Sequence, residues 1–325
     1  MSGELILGID GGGSTIRVAL ANRSGEILRT SLGSGVNPMD NPDWRTELDR
    51  HIAPFRHEPK LTSVAAALPA YGEVKHLSAL QEAAIADMFP AVRTAILNDV
   101  DAAHLGAFAG KEGILILSGT GSMAWARNAA GRPARSGGWG DVIGDEGSSY
   151  WIGRLALNLV SQSLDGRAPK TALADIVFEH LNLDLSDPMN GLGGWVKSLA
   201  KPRSSIAALS ALVDRAARAG DAAARDLLER AADALARHHT AVAGHCGENA
   251  GWTYAGGTFA STLLLEALER RIGTAPRVPK LPPIGGALLA AAQNLGWPLN
   301  DGWLEPIAAS TRAASAQSIT GSKFQ

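Results

Sequence analysis

The chain has 325 residues, 46% hydrophobic and 19% charged, with a formal net charge of −2. That length exceeds one compact core and implies two domains; the apolar content argues against disorder, and the charge offers no basic face for nucleic acid. One cysteine, Cys246, excludes an internal disulfide framework and suits a reducing cytoplasm, and no signal peptide or run of ~20 apolar residues able to span a membrane is visible.

In chain order, ELILGID reads as a short apolar strand, and TIRVALANRSG as a second strand with apolar residues at alternate positions. Between them lies the loop Gly11–Thr15. A hairpin turn at Asn22–Gly25 leads to a third strand, EILRTSL. A strand, not a helix, follows the glycine-rich loop, so the dinucleotide-binding fingerprint fails on context, and GxxxxGK[ST] is absent. LTSVAAALPAYG is strand-like, HLSALQEAAIADMF helical, TAILNDVD a strand ending in polar residues, and AAHLGAFAG a short helix.

The opening pattern then recurs. GILILS is a strand, Ser118–Ser122 a Gly/Ser/Thr loop, and an alternating strand leads to a turn at Asn128–Gly131. The turn glycine lies 12 residues after Gly13 in the first copy and 10 after Gly121 in the second, which suggests duplicated halves. From Ser148 to Gly244 the chain is mostly helical. SIAALSALVDRAARAG stops at Gly220, and Asp221 caps the next helix. WTYAGGTFASTLLLEALERRIG reads as strand, glycine turn and helix, and PPIGGALLAAAQNLG is read the same way. The stretch after Ser310 reads as a frayed tail.

Two glycine-rich hairpins that expose N–H groups and hydroxyls can grip a polyphosphate from two sides. Asp10, at a strand end beside the first loop, is placed to serve Mg²⁺ or its water. Phosphoryl transfer also needs a base near the acceptor hydroxyl, and Asp99 and Asp101 are the candidate carboxylates.

The motifs GIDGGGST, NDVDAAHLGA, SGTGS, GGWGDVIGDEGS, YAGGTF and PPIGGALLAA occur in this order across nearly the whole chain. They resemble the phosphate-1, connect-1, phosphate-2, sugar-loop, adenosine and connect-2 motifs of the sugar kinase, Hsc70 and actin superfamily. Within it the chain is similar to the BadF/BadG/BcrA/BcrD ATPase family, and to its N-acetylglucosamine and glucosamine kinase branch. The resemblance implies an α/β protein of two ribonuclease-H-like (actin-like ATPase) domains around a cleft. The expected division is 1–113, 114–310 with a helical insertion, and a tail at 311–325.

The resemblance further implies an ATP-dependent amino-sugar kinase using ATP and Mg²⁺. Asp10 would hold the Mg²⁺ environment, directly or through water. Gly11, Gly12, Gly13, Ser14 and Thr15, with Gly119, Thr120, Gly121 and Ser122, would contact phosphates, and Gly256, Gly257 and Thr258 would line the adenosine site. Asp99 sits where the family keeps its catalytic base. Asn37, Gly138, Trp139, Gly140 and Asp145 would contact the sugar. Asn98 stands where a threonine is common, and LPAYG replaces a Ser/Gly-rich turn, so the acceptor's identity stays open. The expected partner is a small sugar, with no nucleic acid or membrane; a homodimer is left open, and the cytoplasm is the expected location.

Plainer roles compete. Asp101 suits a helix cap or first turn. His238, His239, His245 and Cys246 cluster in sequence, but adjacent histidines face different sides of a helix and no CxxC exists, so no zinc site is expected. Trp195, Trp252, Trp297 and Trp303 suit a core. Other activities are a kinase for an anhydro-sugar, muramic acid or non-sugar alcohol, and an ATPase serving a protein partner. Family members that activate dehydratases hold an iron–sulfur cluster with two cysteines from each subunit, which one cysteine cannot supply.

Overall fold

The computed structural model describes residues 3–13, 15–248 and 250–321, with side chains as far as Thr311. Two compact units emerge: Met1–Gly113, Ala129–Gly131 and Val278–Gln325 form the first, and Ile114–Asn128 with Arg132–Arg277 the second. Among the described residues no helix is long and apolar enough to cross a membrane.

The first unit opens with β1 (Leu5–Gly11), β2 (Thr15–Asn22), β3 (Ile27–Ser34) and α1 (Trp44–Ile52). It continues with β4 (Leu61–Leu68), α2 (Lys75–Met88), β5 (Arg93–Asn98) and α3 (Asp99–Phe108). The sheet order is β3-β2-β1-β4-β5. β1 runs antiparallel to β2 and parallel to β4, and β5 is parallel to β4. The C-terminal ends of three parallel strands therefore share one edge, with Asp10 opposite Ala67 and Leu68 opposite Asn98. Alternation along β1 sends Leu7 and Ile9 to a core with Leu48 of α1 and Ile85 of α2, and Ile6 to a core with Leu105 of α3.

Helix α1 had no counterpart in the sequence reading, although it buries Trp44, Leu48 and Ile52 at four-residue spacing. The expected strand TAILNDVD is corrected: β5 stops at Asn98 and α3 begins at Asp99. Asn98 is extended, and its Oδ1 accepts the Val100 N–H at 3.0 Å, a side-chain cap that starts the helix there.

The second unit contains β6 (Gly113–Ser118), β7 (Ser122–Arg127) and β8 (Pro133–Gly137). Helices α4 (Ser149–Leu164), α5 (Ala172–Leu181), α6 (Pro188–Ser198), α7 (Pro202–Ala208), α8 (Ser210–Arg218) and α9 (Ala222–Ala243) follow. β9 (Trp252–Ala255) and α10 (Thr262–Ile272) complete it. Its sheet order, β8-β7-β6-β9, repeats β3-β2-β1-β4, with β7–β8 antiparallel and β6–β9 parallel. Asp221 caps α9 through the Ala224 N–H at 2.8 Å, in line with the sequence reading. SIAALSALVDRAARAG, expected as one helix, breaks at buried Leu209, whose N–H bonds the Ile206 carbonyl three residues back and so tightens the turn.

The chain then returns to the first unit as α11 (Pro283–Asn294) and α12 (Asp301–Gly321). The expected second domain, 114–310, is thus corrected: residues from Val278 belong with the first sheet. The reason is burial, because Ile284, Leu288 and Trp303 complete the core that holds Ile6, Ala65 and Leu97. PPIGGALLAAAQNLG supplies no strand; Pro283 opens α11, where a missing N–H costs nothing. The expected tail is also corrected, since 311–321 continues α12 and residues 322–325 lie outside the described residues.

Helices α3 and α11 meet through glycine. A Cβ on Gly106 would stand 2.7 Å from the Pro282 carbonyl oxygen, and one on Gly286 would collide with the Ala102 carbonyl. Gly286→Ala is therefore expected to destabilise the protein by roughly 1–3 kcal/mol or more through overpacking. Gly193→Ala on α6, where a Cβ meets open space, is expected to stabilise by up to ~1 kcal/mol. Denaturant unfolding of the two variants checks the opposite signs.

Candidate active site

In the first unit the site is built on the shared strand edge. Asp10 is the penultimate residue of β1 and is buried, with Arg17, its cross-strand partner on β2, at 3.8 Å (Nη1 to Oδ2). Burial pushes its carboxyl up to about 6, against the pull of Arg17. The loop that follows is tied at both ends: the Gly12 N–H donates to Thr15 O at 2.8 Å, and Gly12 O accepts the Val36 N–H at 3.1 Å. Close approach explains Gly11, where a Cβ would lie 2.6 Å from Val36 Cγ2, whereas Gly13 is exposed with open space around it. Thr15 begins β2, exposed; Ser14 lies outside the described residues.

Asp99 is the first residue of α3 and stands at the same edge, two strands from Asp10. Burial pushes its carboxyl up to about 7; the charges of Asp10 and Glu73 add to the rise, and the Val100 N–H at 3.0 Å opposes it. Asn98 Nδ2 donates to Tyr71 O at 2.9 Å and reaches Glu73 Oε1 at 3.4 Å, so the LPAYG segment is held against the helix start. Within that segment Ala70 has φ +63°, a left-handed conformation rare for a residue with a Cβ. Asp101 is buried in the first turn of α3; the cap itself is Asn98. Asn37 directly follows Val36. Its Oδ1 accepts the Met39 N–H at 3.1 Å and its Nδ2 donates to Asp40 Oδ2 at 2.6 Å, leaving one donor and one acceptor position spare.

In the second unit three distant segments converge. Gly119, Thr120 and Gly121 link β6 to β7, which Ser122 begins. Ser118 Oγ donates to Gly147 O at 2.9 Å, Ser122 Oγ to Glu146 O at 2.7 Å, and the Ser149 N–H to Gly119 O at 2.8 Å. Thr258 Oγ1 shares a hydrogen bond with Ser149 Oγ at 2.6 Å and donates to Gly119 O at 3.3 Å. Gly256 has φ +107°, and a Cβ there would strike the Ser118 carbonyl; exposed Gly257 follows it. The sequence-read phosphate-2 loop, the end of the sugar loop and the adenosine motif thus form one hydrogen-bonded cluster.

The remainder of the sugar loop is different. Gly138 and Gly140 have positive φ, and Trp139, Val142 and Ile143 are 67, 90 and 73% exposed. Arg135 lies 5.9 Å from the Trp139 ring centroid. Asp145 offers almost no surface: it is 2% exposed, its Oδ1 accepts the Ser122 N–H at 3.2 Å, and its Oδ2 pairs with Arg203 at 2.5 Å. Arg203 was missed by the sequence reading, since it lies in α7 outside every motif.

The histidine–cysteine group disperses onto separate partners. His238 Nδ1 lies 3.3 Å from Ser136 Oγ, His245 Nε2 2.8 Å from Arg132 O, and Cys246 Sγ 3.3 Å from Arg127 O. Burial lowers the pKa of both His238 and His239. Among the described residues no three His, Cys, Asp or Glu side chains are grouped to hold a metal. Asp10 and Asp99 form a local excess of negative charge that Arg17 only partly offsets. Such a pair suits Mg²⁺, which takes one or two carboxylates and completes its shell with phosphate oxygens and water.

Sequence likeness to two bacterial sugar kinases extends over most of the chain. The N-acetylmuramic acid/N-acetylglucosamine kinase of Clostridium acetobutylicum is 29% identical over 238 residues, 71% of this chain and 77% of that one. Glucosamine kinase GspK of Vibrio cholerae is 29% identical over 248 residues, 72% of this chain and 80% of that one. A Chromobacterium violaceum protein of known crystal structure superposes with a TM-score of 0.72 at 26% identity, over 89% of this chain and 99% of that one. The two-sheet α/β architecture is that of the sugar kinases and actin-like ATPases. The sequence profile of the BadF/BadG/BcrA/BcrD ATPase family matches residues 7–291, and the chain belongs to that family.

Proposed function

We propose that this chain, an ATP-dependent sugar kinase, phosphorylates an amino sugar with Asp99 as general base. The observation that carries the reading is the pair of carboxylates at one sheet edge, with Asp99 pushed up to about 7 by burial and by its neighbours' charge. A base of that pKa is half-ionised near neutrality and accepts a hydroxyl proton as the oxygen attacks phosphorus. A deprotonated Asp99 requires the charge on Asp10 to be offset, and Asp10 is the residue that would hold Mg²⁺. When bound, the metal neutralises charge on the phosphate oxygens.

Each unit carries its own glycine loop suited to phosphate oxygens. Exposed Gly13 and Thr15 in one unit, and exposed Thr120 beside half-buried Gly121 in the other, offer N–H groups and hydroxyls, whereas the N–H and hydroxyl of buried Ser122 are taken by Asp145 and Glu146 and anchor the loop. Gly256, Gly257 and Thr258 lie against the second loop and are assigned to the nucleoside end of ATP. Asn37, rigid in its own loop, keeps one donor and one acceptor for the sugar. Between the acetylated and the free amine, exposed Trp139, Val142 and Ile143 favour the acetamide, whose methyl gains from burial.

With Mg·ATP, N-acetylglucosamine or glucosamine is expected to raise ADP release at least tenfold over the sugar-free rate, as water exclusion in the loaded site predicts. Release unchanged by both sugars would overturn the assignment. For Asp99→Asn, kcat is expected to fall roughly 10²–10⁴-fold with the KM for ATP little altered. In the wild type kcat/KM rises along an acidic limb that Asp99 sets, its apparent pKa lying below about 7 once Mg²⁺ offsets the charge of Asp10, and the variant lacks that limb.

The same shift sets a stability profile. The folded chain holds the Asp99 proton more tightly than the unfolded chain, whose value is near 3.8, so this group costs stability increasingly as pH rises from about 4 to about 7. Asp99→Asn removes that cost. Its Tm, measured against wild type, is expected to gain more at pH 8 than at pH 5.

A further inference from the structure

Arg203 enters the second unit's loop cluster from α7, and three observations fix what it does there. First, its Nη2 holds Asp145 Oδ2 at 2.5 Å while Asp145 Oδ1 holds the Ser122 N–H, so a guanidinium is linked through one buried carboxylate to the phosphate-2 loop. Second, the pair lies directly under that loop. A Cβ on Gly121 would stand 2.9 Å from Asp145 Oδ1 and 3.1 Å from Arg203 Nη2, so glycine is the residue that lets the loop rest on the ion pair. Third, Arg203 Nε is buried, makes no hydrogen bond, and lies 4.0 Å from Asp141 Oδ1. Buried donors without partners are rare in folded proteins.

The two carboxylates facing Arg203 differ in freedom. Asp145 is fixed by its amide and its burial. Asp141 lies beside Gly140, which has φ +82°, and next to exposed Val142 and Ile143. A shift of Asp141 by about 1 Å brings it to hydrogen-bonding distance of Nε, and the planar guanidinium then serves one carboxylate on each of two sides.

We propose that Arg203 is a positioning residue that couples the 138–143 segment to the phosphate-2 loop: an acceptor that settles that segment draws Asp141 onto Nε and thereby stiffens the Arg203–Asp145–Ser122 link. The proposal rests on the kinase reading above for the identity of the acceptor, but the coupling is internal to the second unit. Its consequence is that the phosphate-2 loop is fully ordered only with acceptor present, which restrains ATP hydrolysis without sugar.

The test is a double-mutant cycle of Asp141→Asn and Arg203→Lys, which keeps the charge but loses the fork, read in two ways on the full chain. In kinetics with N-acetylglucosamine and glucosamine, each single variant is expected to lower kcat/KM for the sugar about tenfold, with the KM for ATP and Tm unchanged. The double variant should be no worse than the poorer single. In amide exchange followed by mass spectrometry, peptides covering 118–122 should exchange several-fold faster in Arg203→Lys than in the wild type without acceptor, and Asp141→Asn alone should change nothing there; with either sugar added, 118–122 should slow in the wild type but not in Asp141→Asn. Exchange at 118–122 unchanged by Arg203→Lys, or a sugar-induced slowing that persists in Asp141→Asn, overturns the coupling. Absent sugar turnover and sugar-induced slowing in the wild type, with Arg203→Lys still faster, overturns only the acceptor assignment and upholds the Arg203–Asp145–Ser122 link.

Discussion

Two carboxylates that repel one another stand where the parallel strands of the first sheet end, and much of that unit serves to keep them there. Asp10 arrives on a strand buried along its whole length, and Asp99 on the first turn of a helix. Neither position tolerates drift, because β1 and β4 are locked in register and α3 is locked onto α11 by glycines with no room for a Cβ. Burial makes both groups reluctant to ionise, and that reluctance is the property a proton acceptor near neutrality requires. In the adjoining loop Gly11 lets Val36 pack closely, while Gly13 lies exposed with open space around it.

The second unit repeats the strand order of the first but uses it differently. Its corresponding loop after β6 carries no strand-end carboxylate. The buried acid there, Asp145, comes instead from a later loop and binds the turn from beneath. One copy of the motif thus presents charge and the other presents amides and hydroxyls supported by charge.

Strand–loop–strand periodicity made both sheets visible in the sequence, since alternating apolar residues and glycine punctuation are local signals. The loops of the candidate site were equally visible as the GIDGGGST and SGTGS stretches, and Asp221 was legible as a cap. The failures share a cause, which is that the deciding contact was remote or in competition with a local pattern. Asn98 ended β5 early because a side-chain cap overrode the apolar alternation. Leu209 split one amphipathic run because it was needed in the core. Arg203 carried no signal, since its meaning depends on Asp145, 58 residues earlier in the chain. The return of α11 to the first sheet was hidden for the same reason: its glycines read as a loop until Ala102 and Pro282 are seen against them.

That return has a consequence for synthesis. The face of the first sheet carrying Ile6, Ala65 and Leu97 is closed by Ile284, Leu288 and Trp303, residues made only after the whole second unit. The second unit, almost continuous in sequence, is complete by Arg277 and is free to fold while the ribosome is still working. The sheet that carries Asp10, with Asp99 at its edge, waits with an open apolar face until α11 and α12 emerge. A nascent chain stalled after Arg277 therefore presents a folded half beside a sticky one, a natural client for chaperones that shield exposed hydrophobic surface.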